Sequence, residues 1–378
     1  MDMVVDFLNN ILWGYVLIYG LLGVGIFFTI RLGFPQFLHF SEMIHVIKGS
    51  RESDDNGISP FQALCTSLAS RVGTGNIAGV AVALYLGGAG AIFWMWMVAL
   101  VGMATAYSES TLAQLYKVKD GDGQYRGGPA SYISKGLNAP WAAAIFAVCL
   151  MISFGLIFNA VQANSIAEAV EGAFHIPKLW VGVAIAVFAG VVIFGGLRSV
   201  VRFAEFVVPL MAGVYVLAAL IIMAMNISEV PGVLMTIVKS AFGLEEAAGG
   251  AAGAVAAAAL NGIKRGLFSN EAGMGSAPNI AATATPMPHH PSSQGFVQAF
   301  GVFIDTIVIC TATAVMIMLS GVLEPGSGIT GTKLTQDALA FHFGAFGNYF
   351  IAVAILFFAF TSIVANYTYA ENALVHLG

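Results

Sequence analysis

Nine predominantly apolar stretches follow one another along the chain, at 10–31, 60–86, 88–116, 140–166, 179–197, 203–226, 250–284, 295–322 and 345–372. A helix needs about 20 such residues to cross the hydrocarbon core of a bilayer. In hydrocarbon every backbone N–H and C=O must find a partner within the protein, so apolar stretches of this length are expected to be helices. Composition points the same way. Hydrophobic residues make up 58% of the 378 and charged residues 9%, with a mean hydropathy of +0.85, whereas a soluble domain carries roughly a quarter charged residues. The lipid bilayer is the expected solvent and a plasma membrane, multi-pass, the expected location. The net charge of -5 carries no sign of a nucleic-acid partner. The start, MDMVVDFLNN, is acidic and lacks the basic beginning of a signal peptide, so the first stretch is expected to stay as a membrane helix. Cys65, Cys149 and Cys310 fall in apolar stretches without metal-ligand spacing and read as small buried hydrophobes.

Two stretches are interrupted. The first opens with Ser59-Pro60, a capping hydroxyl followed by a residue with no N–H to leave unpaired, and is broken at Gly73-Thr74-Gly75-Asn76. The second is broken near Asn270-Glu271-Ala272-Gly273-Met274-Gly275. Residues 231–243 read as a short amphipathic segment along the interface. The chain then divides into an extra N-terminal helix with its loop (1–58), a five-helix unit that begins with a broken helix (59–228), and a second unit that begins the same way (229–378). Five is odd, so the second unit enters from the opposite side, which is the inverted-repeat pattern of many secondary transporters. The second unit holds three helices, and symmetry predicts two more, as in a truncated product or a fragment of a longer one.

Lysine and arginine orient the array. With 32–58 in the cytoplasm, the inside loops and their edges hold Arg31, Lys48, Arg51, Lys117, Lys119, Arg126, Lys135, Arg198 and Arg202, and the outside loops hold Lys178, Lys239 and Lys333. That bias predicts an external N-terminus.

Broken backbone at membrane depth calls for a ligand or a packing partner. The N–H groups of Gly75 and Asn76 open a helix half and suit a carboxylate. The carbonyls of Ala69 and Val72 suit a small hard cation, and those near Phe268 and Ser269 an ammonium. Glu271 is an ionisable group at membrane depth, expected either to work in transport or to pair with Arg71, Lys264 or Arg265. Gln162 and Asn164 are either pocket or interfacial polar residues. Thr361-Ser362 are either oxygen ligands for sodium or bond back to their own helix. Asp305 and Glu205 receive no role, His289-His290 read as a surface loop, and Phe93-Trp94-Met95-Trp96-Met97 as lipid-facing or interfacial packing.

Several motifs in order resemble one family: SRVGTGNIAGVA (70–81), GGAGAIFWMWMVALVG (87–102), VQANSI (161–166), GLFSNEAGMGSAPNIAATA (266–284) and FAFTSIVANYTYAENAL (358–374). They resemble the alanine or glycine:cation symporters, over essentially the whole chain. The resemblance implies an all-α, leucine-transporter-like inverted repeat and sodium-driven uptake of alanine or glycine. It implies a substrate site at Thr74, Gly75, Asn76, Gln162, Ile166, Phe268, Gly273, Met274, Gly275 and Asn366, although some members carry an aromatic residue at the position of Asn366. It implies sodium ligands at Ala69, Val72, Phe358, Thr361 and Ser362. It implies sodium as the coupling ion and no other cofactor, and the expected setting is a bacterial inner membrane. Family members extend further at the C-terminus.

Three alternatives compete. Proton coupling would run through Glu271. A channel would build its pore from polar or charged rings, whereas the polar groups here gather at two midplane breaks. An intramembrane enzyme would need a nucleophile with its base, or a metal-ligand set, and no Ser/His/Asp or His-x-x-x-His arrangement lies at membrane depth.

Overall fold

A computed structural model of the chain describes residues 2–53, 57–121, 123–244, 251–287 and 289–378. In chain order its main helices are α1 (Phe7–Arg31), α2 (Pro60–Arg71), α3 (Gly75–Gly87), α4 (Gly90–Leu115), α5 (Pro140–Phe174), α6 (Lys178–Ile193), α7 (Gly196–Met225), α8 (Val230–Ala241), α9 (Ala251–Asn270), α10 (Ala277–Ala281), α11 (Pro291–Ser320), α12 (Gly331–Phe343) and α13 (Ala345–Leu377). A small hairpin, β1 (Val118–Lys119) with β2 (Tyr125–Arg126), follows α4. Among the described residues, α1, α4, α5, α7, α11 and α13 are long and apolar enough to cross a membrane. The protein is an all-α, multi-pass membrane protein.

The helix ends follow local chemistry. Ser59 Oγ accepts from the Gln62 N–H at 3.1 Å while the Gln62 side chain accepts from the Ser59 N–H at 3.0 Å, a capping box with Pro60 at the first helical position. This is the start expected from the sequence. The first break spans Val72 to Thr74, and the turn that reopens the helix at Gly75–Gly79 is π-helical. The second break, Glu271 to Ser276, runs through left-handed backbone at Glu271 (φ 54°), Gly273 (φ 84°) and Gly275 (φ 76°). A left-handed glutamate is strained and persists where its surroundings hold it.

Small residues let the broken helices sit deep. α9 and α11 both pack on α4. A Cβ on Gly262 would lie 2.3 Å from the Ala91 carbonyl oxygen, and one on Gly266 2.9 Å from Val98, so only glycine permits this crossing. On the other side α13 packs against α2, α5 and α7, and Phe358, Tyr215, Ile166 and Val72 share one buried cluster. The loop before α2 and the end of the second broken stretch are joined as a parallel bridge: Ile58 N–H donates to the Thr283 carbonyl and Thr285 N–H to the Ile58 carbonyl.

Several expectations change. The first break falls one residue earlier than the Gly73–Asn76 run. α5 runs on to Phe174 and α7 begins at Gly196, because the amphipathic residues flanking both apolar runs continue the helical pattern. The start of the 250–284 stretch at residue 250 lies outside the described residues. The polar segment 331–343 reads as loop but forms α12, with Leu334, Ala338 and Leu339 fully buried. Cys149 is exposed on α5 rather than buried, whereas Cys65 and Cys310 are buried. Met95 is fully buried and Trp96 donates to Thr311 Oγ1, so part of the aromatic stripe packs inward.

Candidate functional site

The first break carries its own hydrogen-bond partners. Gly73 N–H donates to Asn76 Oδ1 at 3.0 Å and Thr74 N–H to Gln162 Oε1 at 3.0 Å. The Asn76 N–H is turned back to the Gly73 carbonyl at 3.3 Å, so it does not point outward as expected. The Asn76 carboxamide reaches further: its Nδ2 lies 2.7 Å from Asp305 Oδ1 and 3.0 Å from Ser269 Oγ. Ser269 and Thr306 hydroxyls donate to Asp305 Oδ2 at 2.8 and 2.7 Å. Asp305 sits in a π-helical segment, Phe303–Cys310, of α11. Such segments frequently mark functional positions. Sequence reasoning passed Asp305 by; a carboxyl group inside an apolar stretch was the available signal.

Gly75 faces Ser269 and Phe268. A Cβ there would lie 3.2 Å from Ser269 Cα and 3.3 Å from the Phe268 ring. That ring stacks on Phe158 at 5.3 Å between centroids. Phe268 also lines a cavity of ≈ 370 Å³ together with Asn9, Trp13, Asn261, Lys264 and Arg265. The ring therefore stands between a basic cavity and the Gly75 backbone.

Beside the same break lies an oxygen cluster. Ser362 Oγ is 2.9 Å from the Ala69 carbonyl and 3.0 Å from the Phe358 carbonyl; Thr361 Oγ1 is 2.9 Å from the latter and 3.4 Å from the former. A Cβ on Gly73 would lie 2.5 Å from Ser362 Oγ and 2.9 Å from Gln162 Oε1, which places the cluster against the Gln162 carboxamide. Val72 is fully buried at the end of α2.

The structure thus brings together Thr74, Gly75, Asn76, Gln162 and Phe268, with Ala69, Phe358, Thr361 and Ser362 alongside. Ile166 belongs to the buried cluster with Val72 and Ile77. Asn366 donates to Asn159 Oδ1 and takes Ser70 Oγ at 2.6 Å on its other side. Gly273 and Met274 lie elsewhere: Gly273 faces Leu21 and Thr105, and Met274 packs with Leu21, Leu22 and Leu267. Gly275 faces Phe146 and Pro129.

Of the two roles read for Glu271, work in transport or an ion pair, the ion pair is not formed. Its carboxyl group sits by the hydroxyls of Ser70 and Ser276, and no ion pair of Arg71, Lys264 or Arg265 occurs among the described residues. Glu109, also unremarked in the sequence, takes the Gly273 N–H at 3.3 Å and lines a separate cavity of ≈ 230 Å³ with Thr105 and Tyr132.

A polytopic chain with two broken helices whose polar groups meet at mid-depth is built like a carrier, and comparison with known sequences decides which kind. The model of the sodium:alanine symporter family matches residues 1–378. The chain belongs to that family. Amino-acid carrier protein AlsT of Bacillus subtilis is 53% identical over 96% of this chain and 76% of its own length. GlnT of the same organism, with sodium and glutamine in its name, is 49% identical over 98% and 77%. Sodium/alanine symporter AgcS of Methanococcus maripaludis is 41% identical over 99% and 83%. The protein is therefore an amino-acid:cation symporter and not an enzyme.

Proposed function

We propose that this symporter couples sodium entry to uptake of a small neutral amino acid, alanine or glycine, through a leucine-transporter-like arrangement of two inverted repeats (59–228 and 229–378). The observation that carries the reading is the meeting at Gly73 of the Ser362 hydroxyl and the Gln162 carboxamide. It sets a cluster of neutral oxygens suited to a hard cation directly against the broken backbone of Thr74, Gly75 and Asn76. Sodium is held by the carbonyls of Ala69, Val72 and Phe358 with the hydroxyls of Thr361 and Ser362. The substrate carboxylate lies over Gly75, where backbone approach needs a residue without a side chain. Phe268, so near Gly75, leaves room for a short side chain only. Lys264 and Arg265 draw the carboxylate into the outer cavity.

The ion touches both repeats, so its binding shifts the population towards the substrate-competent state. One sodium with a zwitterion moves one net charge, worth ~2.3 kcal/mol per 100 mV. Proton coupling through Glu271 is the second reading, favoured by the burial of that carboxyl group beside Ser70 and Ser276. Uptake of labelled alanine in proteoliposomes, with external sodium replaced by choline, decides between them. Loss of uptake in choline supports sodium; uptake driven by a pH gradient alone transfers the role to Glu271.

A further inference from the structure

Arg71, the last residue of α2, is 2% exposed at the very edge of the first break. Its Nη1 donates to the Gln298 carbonyl at 3.2 Å, while among the described residues Nε and Nη2 have no hydrogen-bond partner. That Nε–Nη2 edge is the side of a guanidinium that grips a carboxylate with two parallel hydrogen bonds. Buried donors are rarely left this way. The surface of α11 that faces Arg71 is identified by Gly301, whose Cβ would meet Nη1 at 2.8 Å. Gln298 lies one turn before Gly301 and Asp305 one turn after, at the spacing that puts all three on one helix face. Asp305 itself sits in the π-helical segment, where closing the extra residue of a turn shifts what the helix presents. On the other flank Ser70 leads to Glu271. Glu109, Glu271 and Asp305 are all buried within electrostatic reach of this single guanidinium.

We propose that Arg71 is the internal counter-ion of the empty carrier: once cation and substrate have left, the Asp305 carboxylate exchanges its contacts with Asn76 and Ser269 for the free Nε–Nη2 edge of Arg71. This rests on the symport reading above. A loaded carrier brings its own positive charge past the carboxyl groups. An empty one must return with them uncompensated in a low dielectric, which is costly unless a resident cation takes over. Arg71 is thus a positioning residue for the return step and touches neither ion nor substrate.

Net uptake requires that return, whereas exchange of internal for external amino acid does not. The test compares sodium-driven alanine uptake into empty proteoliposomes with alanine–alanine exchange at saturating sodium on both sides. For Arg71→Gln, net uptake should fall at least about 10-fold while exchange stays within about threefold. Arg71→Lys, a point charge without the fork, should fall between. Gly301→Ala, which pushes on Nη1, should show the same split in milder form. Equal loss of uptake and exchange in correctly folded Arg71→Lys and Gly301→Ala overturns the proposal in favour of a structural role, and so does unchanged uptake in Arg71→Gln. Wild-type protein with neither uptake nor exchange of alanine defeats the symport reading itself, a result distinct from either.

Discussion

The Nδ2 of Asn76 donates to Asp305 Oδ1 at 2.7 Å, tying the first helix break to the π-helical segment of α11. The same carboxamide closes the break through Gly73. Asn76→Ala therefore removes two supports at once and leaves a buried carboxyl group one donor short. A buried hydrogen bond to a charged group is worth about 1.5–3 kcal/mol. The expected outcome is amino-acid affinity weakened roughly 10- to 100-fold, measured by equilibrium binding to purified protein. Unchanged affinity would place the substrate away from this break.

Gly75 has two close neighbours and no slack. Gly75→Ala must push on Ser269 or the Phe268 ring by a few tenths of an ångström and should weaken alanine binding measurably. Gly75→Leu should abolish it, with the protein still monodisperse in detergent. Normal binding by the leucine variant rules out backbone approach at this position.

Thr361→Val keeps the shape of the side chain and deletes an oxygen. The sodium concentration for half-maximal uptake should rise by about 10-fold, on the scale of one lost polar contact. Ser362→Ala should do the same. The effect belongs to the coupling, so amino-acid binding should lose its sodium-dependent part in equal measure. A sodium dependence identical to wild type in both variants moves the ion elsewhere.

The basic residues around the outer cavity predict an ionic-strength effect. Lys264→Gln with Arg265→Gln should raise KM for alanine several-fold at low salt, leave the maximal rate nearly constant, and differ less from wild type at 1 M salt, where the Debye length is about 3 Å. A change in maximal rate alone would count against capture of the carboxylate there.

Orientation is tested independently of transport. A reporter fused after Lys119 should read as cytoplasmic and one near Lys239 as external, following the distribution of lysine and arginine. The reverse result would invert the assignment of both repeats.

How much was legible in the sequence depended on whether a residue's partners were local. The helix start at Ser59-Pro60 and the glycine-rich breaks announce themselves within four or five residues; the start stands where it was read, and the first break lies one residue from its expected place. Asp305 gave no such notice, because its partners Asn76 and Ser269 arrive from other segments of the chain. Glu271 misled for the opposite reason. Lys264 and Arg265 nearby in sequence, and Arg71 in the other break, suggested an ion pair, but left-handed backbone at the break turns the side chain towards Ser70 and Ser276. The same turn carries Gly273 and Met274 away from Gly75, although the motif runs straight through them. α12 was missed because Thr332, Thr335 and Gln336 interrupt the apolar run, although they are buried together with Leu334, Ala338 and Leu339.

The parallel bridge at Ile58 has a mechanical meaning. It fastens the entrance of the first broken helix to the exit of the second by two backbone hydrogen bonds. Such a seam is indifferent to side-chain identity and acts as a yoke. A tilt of α2 is therefore expected to pull on α10, so that the two segments swing as one lever instead of two.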